Sequence, residues 1–232
     1  MTAQQQTEIP NEQGDHTGVV GGPSWIERVV EHSEQVQRSR ARSIDQARQL
    51  MAAARRLIER QGGNFTTQEL TREAGVAVQT FYRSFESKDS LLLAVFEEFI
   101  GEFCRDYESR RGGTDDPVIR IRHYVTSAVS SWRSNPSFAR FITAQHWRLF
   151  QLYPDEVAAA TGQFAHLIQR DLEQASAEGL LSPADAEHDA WLVNQLVMAV
   201  FHYGSLVQPA GDADDEAERL WRFCLSALGG SR

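Results

Sequence analysis

The stretch Phe65–Leu93, FTTQELTREAGVAVQTFYRSFESKDSLLL, decides how this chain folds. Thr66, with Glu69 three residues later, forms a capping-box pattern, which satisfies free amide donors at the start of a helix. Gly75 ends that helix, because glycine adopts a left-handed conformation at little cost. Two short helices around a glycine turn predict a helix-turn-helix, which places its second helix in the major groove of DNA.

The second helix of this motif is predicted to run from about Val78 to Phe85. Phe81 and Phe85 are four residues apart and share a buried face, so the other side chains of the helix are available to DNA. We therefore predict DNA contacts from the turn and from this helix, at Thr66, Thr67, Val78, Gln79, Thr80, Tyr82 and Arg83.

A third helix is predicted from Ser87, which suits an N-cap position. Lys88 follows in the first turn, where the helix dipole favours anions, and it is the only lysine in the sequence. It is either a tolerated surface residue or a contact to a DNA phosphate near a helix N-terminus. The motif around it favours the phosphate contact.

The same segment resembles the DNA-binding domain of the tetracycline-repressor (TetR) family of bacterial regulators. The resemblance implies an all-α fold, in which a three-helix DNA-binding domain is joined by a long helix to a larger helical domain for ligand binding and dimerisation. It covers about a fifth of the chain. The matching residues are Phe65-Thr66-Thr67, Ala74-Gly75-Val76, Thr80-Phe81-Tyr82, Phe85 and Ser87-Lys88-Asp89-Ser90-Leu91-Leu92.

Three residues depart from the family pattern. Thr71 stands where alanine is usual, which suggests slightly altered packing of the two helices. Ala77 stands where serine often caps the recognition helix, and the lost cap is typically worth about 1 kcal/mol. Gln79 stands where glycine is frequent, and its amide can pair with the N6 and N7 edge of adenine.

A length of 232 residues allows a small DNA-binding domain and a larger second domain. We predict an N-terminal extension at 1–37 that is largely disordered and can form one short helix, a DNA-binding domain at 38–95, and a ligand-binding and dimerisation domain at 96–232. No apolar run appears long enough to span a bilayer. The polar N-terminus has no secretory core, so we expect a cytoplasmic protein that does not contact membranes.

The net charge of −9 is unevenly distributed along the chain. Residues 38–95 carry +4, whereas 1–37 carry −5 and 96–232 carry −8. The positive charge therefore surrounds the helix-turn-helix, where counterion release favours DNA binding. The alternating arginines of 38–42 are either a solvated linker or an arm that contacts phosphates or enters the minor groove, with Arg40 and Arg42 as its contacts.

Apolar residues at helical spacing predict a helix that ends at Gln61 and a long helix from Ser87 that continues into the second domain. The rest of the sequence is typical of five or six further helices, of which the first spans Pro117 to Ser134. Ser182 is predicted to cap a later one, with Pro183 at its first position.

Aromatic residues are concentrated between Trp132 and Tyr153, with polar residues among them. An apolar cavity with a few polar groups is the usual form of a small-molecule site, and the family resemblance also places an effector pocket in this region. Plain core packing is the alternative for each residue. The predicted pocket residues are Trp132, Phe138, Phe141, His146, Trp147, Phe150 and His202.

The helices predicted at Pro154–Glu178 and Pro183–Gln208 carry more apolar surface than one buried face needs. Two such helices from each of two copies would form a four-helix bundle with two-fold symmetry. The residues predicted to form this homodimer interface are Phe164, Ile168, Leu172, Trp191, Gln195 and Met198.

These observations favour a DNA-binding transcriptional regulator, most simply a repressor that a small, largely apolar effector releases from a palindromic operator. One alternative is a ligand-independent architectural or partner-binding protein on double-stranded DNA. An all-helical enzyme is less favoured, because no nucleophile is paired with a base and no glycine-rich phosphate loop is found. Cys104, Cys224 and the histidines lack metal-site spacing, so we predict no catalytic residue, metal or cofactor.

Overall fold

A computed structural model of the chain describes residues 33–111, 113–208 and 212–230. Within these segments all regular secondary structure is helical, as predicted. Most of the predicted N-terminal extension, residues 1–32, lies outside them. The α-helices of the described segments are α1 (Glu34–Gln61), α2 (Thr67–Ala74), α3 (Val78–Ser84), α4 (Lys88–Arg111), α5 (Pro117–Ser130), α6 (Pro136–Leu152), α7 (Pro154–Ala177), α8 (Ala186–Val207) and α9 (Ala213–Ala227).

The first helix, α1, begins ahead of the predicted start of the DNA-binding domain. The predicted linker or arm at 38–42 is therefore helical, and its arginine side chains are exposed. An α-helix is about 10–12 Å across and does not fit the minor groove, which is about 6 Å wide. The backbone of this segment is thus not an extended arm lying in the groove, and its contacts with DNA stay a prediction. The helix ends at Gln61, as predicted.

The predicted capping box and glycine turn are confirmed. The N–H of Glu69 donates to Oγ1 of Thr66 at 3.1 Å, and the N–H of Thr66 donates to Oε2 of Glu69 at 2.7 Å. Gly75 has a φ of 69°, in the left-handed region that ends a helix. Ala77 precedes α3 and its side chain forms no cap hydrogen bond, as its chemistry predicts.

The long helix α4 belongs to the cores of both predicted domains. Ser87 and Ser90 cap its start, because the N–H of each donates to the hydroxyl of the other at 3.1 Å. Its 24 residues give a length of about 36 Å. The predicted domain boundary after Val95 lies inside this helix, and the chain from Ser43 onward forms one compact unit. The buried side chains of α4 include Leu91, Leu92, Val95, Phe96, Ile100, Cys104 and Tyr107.

Two predicted helix limits need correction. The helix predicted from Pro117 to Ser134 ends at Ser130, and a short 3-10 turn, Ser131–Arg133, connects it to α6. The later helix α8 is not capped by Ser182. Asp185 caps it instead, with Oδ1 accepting from the N–H groups of the next turn at 3.0 and 3.1 Å. The Ser182 N–H donates to the Leu228 carbonyl, and the helix begins only at Ala186, so Pro183 is not its first residue.

A buried ion pair joins three helices of the larger domain. Arg120 on α5 and Asp171 on α7 have side chains that are 6% and 0% exposed, with Nη2 and Oδ1 2.9 Å apart. The hydroxyl of Tyr107, near the end of α4, donates to the other carboxylate oxygen at 2.8 Å. These contacts hold the far end of α4 against α5 and α7.

By length and composition, α8 is apolar enough to cross a membrane, contrary to our expectation that no such run exists. Its inner face contains Asn194 and Ser205, which are hydrogen-bonded to Tyr124 and Thr143 in the core. Its outer face carries a row of exposed apolar side chains, which we call the α8 stripe. The high apolar content of α8 therefore has two parts: the residues packed in the core and the exposed residues of the stripe. The stripe consists of Trp191, Leu192, Leu196, Tyr203, Leu206 and Val207.

Candidate DNA interface and effector cavity

The recognition helix α3 turns one face to the core and the other outward. Phe81 is buried, and its ring centre lies 6.1 Å from that of Phe85. The side chains predicted to contact DNA lie on the remaining surface of the helix. Of these, Val78, Gln79, Tyr82 and Arg83 are exposed and Thr80 is partly buried.

Some of the predicted DNA contacts already have partners within the fold. Nη2 of Arg83 donates to Oε1 of Gln46 on α1 at 2.6 Å. A guanidinium has five N–H donors, so Arg83 can keep this contact and still reach a phosphate. The hydroxyl of Thr66 is engaged with Glu69 in the capping box, while Thr67 beside it is partly exposed.

Lys88 has a role inside the fold that the sequence did not indicate. Its Nζ donates to the carbonyls of Gly63 at 2.7 Å and Phe65 at 2.6 Å, and lies 4.3 Å from the centre of the Phe65 ring. Partial burial lowers the pKa of this ammonium group. Lys88 therefore clamps the start of α4 to the turn before α2. We therefore expect this clamp to be the main role of Lys88. Its ammonium keeps a third N–H donor, so the phosphate contact stays a prediction that the next experiment tests.

Replacing Lys88 with methionine is expected to lower the free energy of unfolding by about 1–3 kcal/mol, because two carbonyls lose their charged donor. The salt dependence of DNA binding should stay unchanged, since no phosphate contact is removed. Denaturant titration and gel shifts at several salt concentrations measure the two effects. Arg48→Met, at an exposed position on α1, is the control. A salt slope reduced by about one would show that Lys88 contacts a phosphate.

An apolar cavity lies between α4 and the helices that surround it. The centre of a water molecule has about 30 Å³ in which to move, so the cavity is narrow. Its polar atoms are already engaged: the Tyr124 hydroxyl donates to Asn194 at 2.8 Å and the Ser131 hydroxyl donates to the Ala128 carbonyl at 2.8 Å. The lining residues are Phe96, Phe99, Ile100, Phe103, Tyr124, Ala128, Ser131, Ile142, Phe164, Val197, Met198 and Phe201.

The seven residues predicted to line a pocket do not line this cavity. Trp132, Phe138 and Phe141 are buried in the core, as the packing alternative predicts. A methyl carbon on Gly204 would lie 2.6 Å from Nε1 of Trp132, so the indole packs directly on that backbone. The side chains of Trp147 and Phe150 are exposed. None of these aromatic residues therefore forms the wall of this cavity, although Phe141 and Trp132 each line another, wider pocket. Their contact with an effector stays a prediction.

The sequence contained a signal for the true wall. Phe96, Phe99, Ile100 and Phe103 follow one another at spacings of one, three and four along α4, so they share a side of that helix. The pattern predicts the helix, but it does not show by itself that this side of the helix lines a cavity. The location of the cavity depends on five helices meeting, which local spacing does not reveal.

The two predicted pocket histidines face each other just outside this cavity wall. The ring centres of His146 on α6 and His202 on α8 are 5.0 Å apart. Within the described part of the chain, Nδ1 of His146 and Nε2 of His202 are buried and have no hydrogen-bond partner. Burial lowers the pKa of His146. Burial, with a smaller contribution from His146, lowers the pKa of His202 to about 4. Both rings are therefore neutral at pH 7.

The described residues provide little for catalysis. They include no group of three or more His, Cys, Asp or Glu side chains that could hold a metal ion. Burial raises the pKa of both Cys104 and Cys224 to about 11, so both are protonated thiols at neutral pH. The rings around His146 and His202 are aromatic, whereas a general base would be oriented by a carboxylate.

The predicted dimer residues lie in three different environments. Phe164, Ile168 and Leu172 on α7 are buried in the core of the same chain, so they are wrong as interface residues. Met198 lines the cavity. Trp191 and Gln195 lie on the exposed side of α8. The outward positions of α7 carry mostly small or polar side chains, at Ala158, Ala159, Gln163, His166 and Arg170.

Helix α6 contacts the DNA-binding domain directly. Nη2 of Arg148 donates to Oδ2 of Asp89 on α4 at 2.8 Å. A methyl carbon on Gly63 would lie 3.0 Å from Cε2 of Phe141, so this ring presses on the turn between α1 and α2. That turn also accepts the Lys88 hydrogen bonds. A displacement of α4 or α6 would therefore also move Lys88 or Phe141, which contact the turn at the start of the helix-turn-helix.

Comparison with known proteins points to the same region of the chain. Residues 50–95 match the model of a family described as bacterial regulatory proteins, TetR family. No curated protein matches the sequence. The family match covers α2, α3 and parts of α1 and α4, which are the elements that form the candidate DNA interface.

Solved structures resemble the whole helical arrangement. FadR from Bacillus subtilis, in complex with stearoyl-CoA, has a TM-score of 0.66 at 15% identity over 78% of this chain and 98% of that chain. FadR from Thermus thermophilus, described as a TetR-family transcriptional repressor in complex with lauroyl-CoA, has 0.63 at 18% identity over 78% and 94%. RolR in complex with resorcinol has 0.63 at 17% identity over 82% and 91%. These likenesses establish the fold.

Proposed function

We propose that this chain, whose residues 50–95 match the model of the TetR family of bacterial regulatory proteins, is a transcriptional repressor of that family. It binds a palindromic operator as a homodimer in the cytoplasm and is released by a small, largely apolar effector. One observation carries the proposal: α4 forms a wall of the apolar cavity and also bears Lys88, which clamps the helix-turn-helix. The same rigid element therefore connects an effector site to a DNA site.

The effector acts by changing the separation of the two recognition helices in the dimer. The cavity is too narrow for a drug-sized ligand, so binding must move the walls apart. Displacement of α4 transmits to the turn at Gly63 through Lys88, and displacement of α6 transmits to it through Phe141. A ligand shifts this equilibrium only by its different affinities for the two arrangements. The DNA-bound arrangement is thus the one with the narrow cavity.

The chemistry of the cavity supports an apolar effector. Its wall is almost entirely carbon, and Phe96, Phe103 and Phe164 offer aromatic faces and edges to a ligand. Relatives of the same fold were solved with acyl-CoA molecules and with resorcinol, each of which presents an apolar chain or ring. We infer that a hydrocarbon chain or aromatic ring fills the corresponding space here.

The homodimer is proposed to form on the α8 stripe. Six exposed apolar side chains on one helix are more than an isolated soluble domain usually leaves in one row. Helix α7 packs beside α8, and its exposed Ala158 and Ala159 allow a partner helix to approach closely. Two copies of this helix pair would bury the stripe in a four-helix bundle. Two recognition helices then read the two halves of a palindrome.

The predicted DNA contacts of α1 remain part of this proposal. Arg40 and Arg42 are exposed on the first turns of the helix, where they can meet phosphates. Because most protein–DNA affinity comes from phosphate neutralisation, these arginines would raise affinity without reading sequence. Base choice is left to α3, whose Gln79 and Tyr82 are exposed.

A gel shift with the DNA that flanks its own gene tests the proposal. We expect nanomolar binding at about 150 mM salt, as specific sites typically show. A panel of small hydrocarbons and alkylphenols should contain compounds that release the DNA. Failure to find a nanomolar site would overturn the regulator proposal. Tight DNA binding that no member of the panel weakens would instead favour a ligand-independent architectural protein, which the narrowness of the cavity also allows.

A binding-site selection tests whether Gln79 contacts bases. Gln79→Gly and Gln79→Ala should both change the preferred sequence more than the overall affinity, because an amide that pairs with adenine contributes about 1–3 kcal/mol of discrimination. The alanine variant removes the amide without adding a flexible residue to a short helix. Selection from randomised sites measures the preference. Unchanged preference in both variants would place Gln79 off the DNA-facing side.

A further inference from the structure

The histidine pair is the most unusual polar feature of the larger domain. His146 and His202 lie in an aromatic environment: Phe96, Trp147, Phe150 and Phe201 have ring centres within 5.2 to 6.4 Å of one or both imidazoles. The buried Nδ1 of His146 and Nε2 of His202 have no partner among the described residues. A buried polar atom without a hydrogen bond is costly, so two of them side by side require an explanation.

The position of the pair relative to the cavity supplies that explanation. Ile142 on α6 and Met198 on α8 line the cavity, and each precedes one histidine of the pair by one turn of its own helix. The Thr143–Ser205 and His146–His202 contacts show that α6 and α8 run antiparallel, so these two cavity residues flank the pair on opposite sides along the seam. Phe96 and Phe201 also line the cavity and contact the pair. A ligand that enters the α6–α8 seam from the cavity, between Ile142 and Met198, therefore reaches the two unpartnered nitrogens.

We propose that His146 and His202 are the polar part of the effector site and bind a neutral hydroxyl group carried by an otherwise apolar effector. This inference rests on the proposed effector cavity. It commits to an alcohol or phenol, the simplest group that can donate one hydrogen bond and accept another.

The hydrogen bonds balance for a hydroxyl. A neutral imidazole has one nitrogen that donates and one that accepts. The tautomers can place an acceptor at one buried nitrogen and an N–H at the other. The hydroxyl donates its hydrogen to the first nitrogen and accepts from the second, which satisfies both in one step. The apolar remainder of the effector lies between Ile142, Met198 and the α4 phenylalanines.

A carboxylate fits the pair less well. Two anion-binding imidazoles would both need protons, and with a pKa of about 4 only about one His202 in a thousand is protonated at pH 7. The causes of the lowered pKa values are burial for both rings and His146 for His202. The rings that contact the pair from α4, α6 and α8 are those of phenylalanine and tryptophan, which carry no negative charge to favour protonation.

Three matched probes test the inference on the full-length protein: 4-butylphenol, butylbenzene and 4-butylbenzoate. Binding is followed by the fluorescence of Trp147, whose ring centre is 5.2 Å from that of His146, and by calorimetry. We expect the phenol to bind about tenfold more tightly than butylbenzene, because its two hydrogen bonds to the pair replace hydrogen bonds to water and the net gain is modest. The affinity of the phenol should be constant between pH 6 and 8, and the ring nitrogen shifts of both histidines should change when it binds.

The variants His146→Phe and His202→Phe should each remove the preference for the phenol while keeping the affinity for butylbenzene. His123→Phe is the matched control, because His123 is a half-buried histidine on α5 that is hydrogen-bonded to Ser127 instead. If a variant folds poorly, two measurements on the wild-type protein still test the inference. These are the ratio of the affinities for the phenol and butylbenzene, and the change in the NMR chemical shifts of the imidazole nitrogens.

The outcomes separate this inference from the proposed function. Equal binding of phenol and butylbenzene, with DNA release by both, would overturn the hydroxyl site and leave the effector cavity standing. Tightest binding by the benzoate, increasing as the pH falls, would overturn the neutral site in favour of an anionic one. Binding of none of the three would overturn the effector cavity itself and this inference with it.

Discussion

Replacing Asp171 with alanine is expected to lower the free energy of unfolding by about 3–5 kcal/mol, the cost of leaving one member of a buried ion pair without its partner. The carboxylate of Asp171 is fully buried and accepts hydrogen bonds from Nε of Arg120 at 3.0 Å and from the hydroxyl of Tyr107 at 2.8 Å. Its removal leaves the nearly buried guanidinium without a counter-charge, with only the Thr114 and Asp115 carbonyls and the Gln174 amide as partners. Urea denaturation followed by circular dichroism measures the loss.

Two comparisons show whether the burial of the charge causes this effect. The double variant Arg120→Met with Asp171→Leu should recover most of the lost stability, because apolar side chains of similar size can replace a buried ion pair at little cost. Arg122→Met, which breaks the more exposed pair with Glu218 on α9, should cost only about 0–1 kcal/mol. A loss below 1 kcal/mol for Asp171→Ala would show that Arg120 finds solvent or another partner.

The helix ends are the features that the sequence predicts best, because the groups that determine them are neighbours in the chain. Thr66 with Glu69, and Gly75 after them, are local solutions for unpaired backbone groups, and both are confirmed. The error at Ser182 shows the limit of such arguments. Ser182 and Asp185 both suit an N-cap, and the Leu228 carbonyl, far away in the sequence, accepts the Ser182 N–H.

Which face of a helix is buried is harder to predict when most of its sides are apolar. Phe164, Ile168 and Leu172 form the more strongly apolar side of α7, and the chain buries that side in its own core. The small side chains left outside, such as Ala158 and Ala159, are a weak signal in sequence although they permit close approach of a partner. An interface is better predicted from what the core leaves exposed than from the most apolar stripe.

The roles of Lys88 and of the cavity wall depend on contacts that sequence spacing does not contain. The carbonyls that Lys88 binds lie 23 and 25 residues earlier in the chain. The residues next to Lys88 in the sequence do not identify these distant partners. The cavity lies where α4 meets four other helices, so no single segment defines it. The histidine pair was predicted as part of a pocket, but its pairing across α6 and α8 required the fold.

Leu196→Glu is expected to separate the dimer and to reduce affinity for the full palindrome by about 10²–10⁴, the advantage that a second linked binding site typically provides. Leu196 is near the middle of α8 and belongs to the α8 stripe. A carboxylate there would have to enter an apolar interface, or meet its own copy across a two-fold axis. Affinity for a single half-site should change little, because α3 and its supports are untouched.

Sedimentation analysis and gel shifts with full and half operators measure these effects. Ile119→Glu is the matched control, since Ile119 is an exposed apolar residue on α5, away from the stripe; this variant should remain dimeric and bind the palindrome normally. Thermal unfolding of both variants checks that the fold is intact. A Leu196→Glu protein that stays dimeric with unchanged affinity would show that the copies pair through another surface. The exposed apolar row of α8 would then need a different partner, because so many exposed apolar side chains on one helix are not expected to face water.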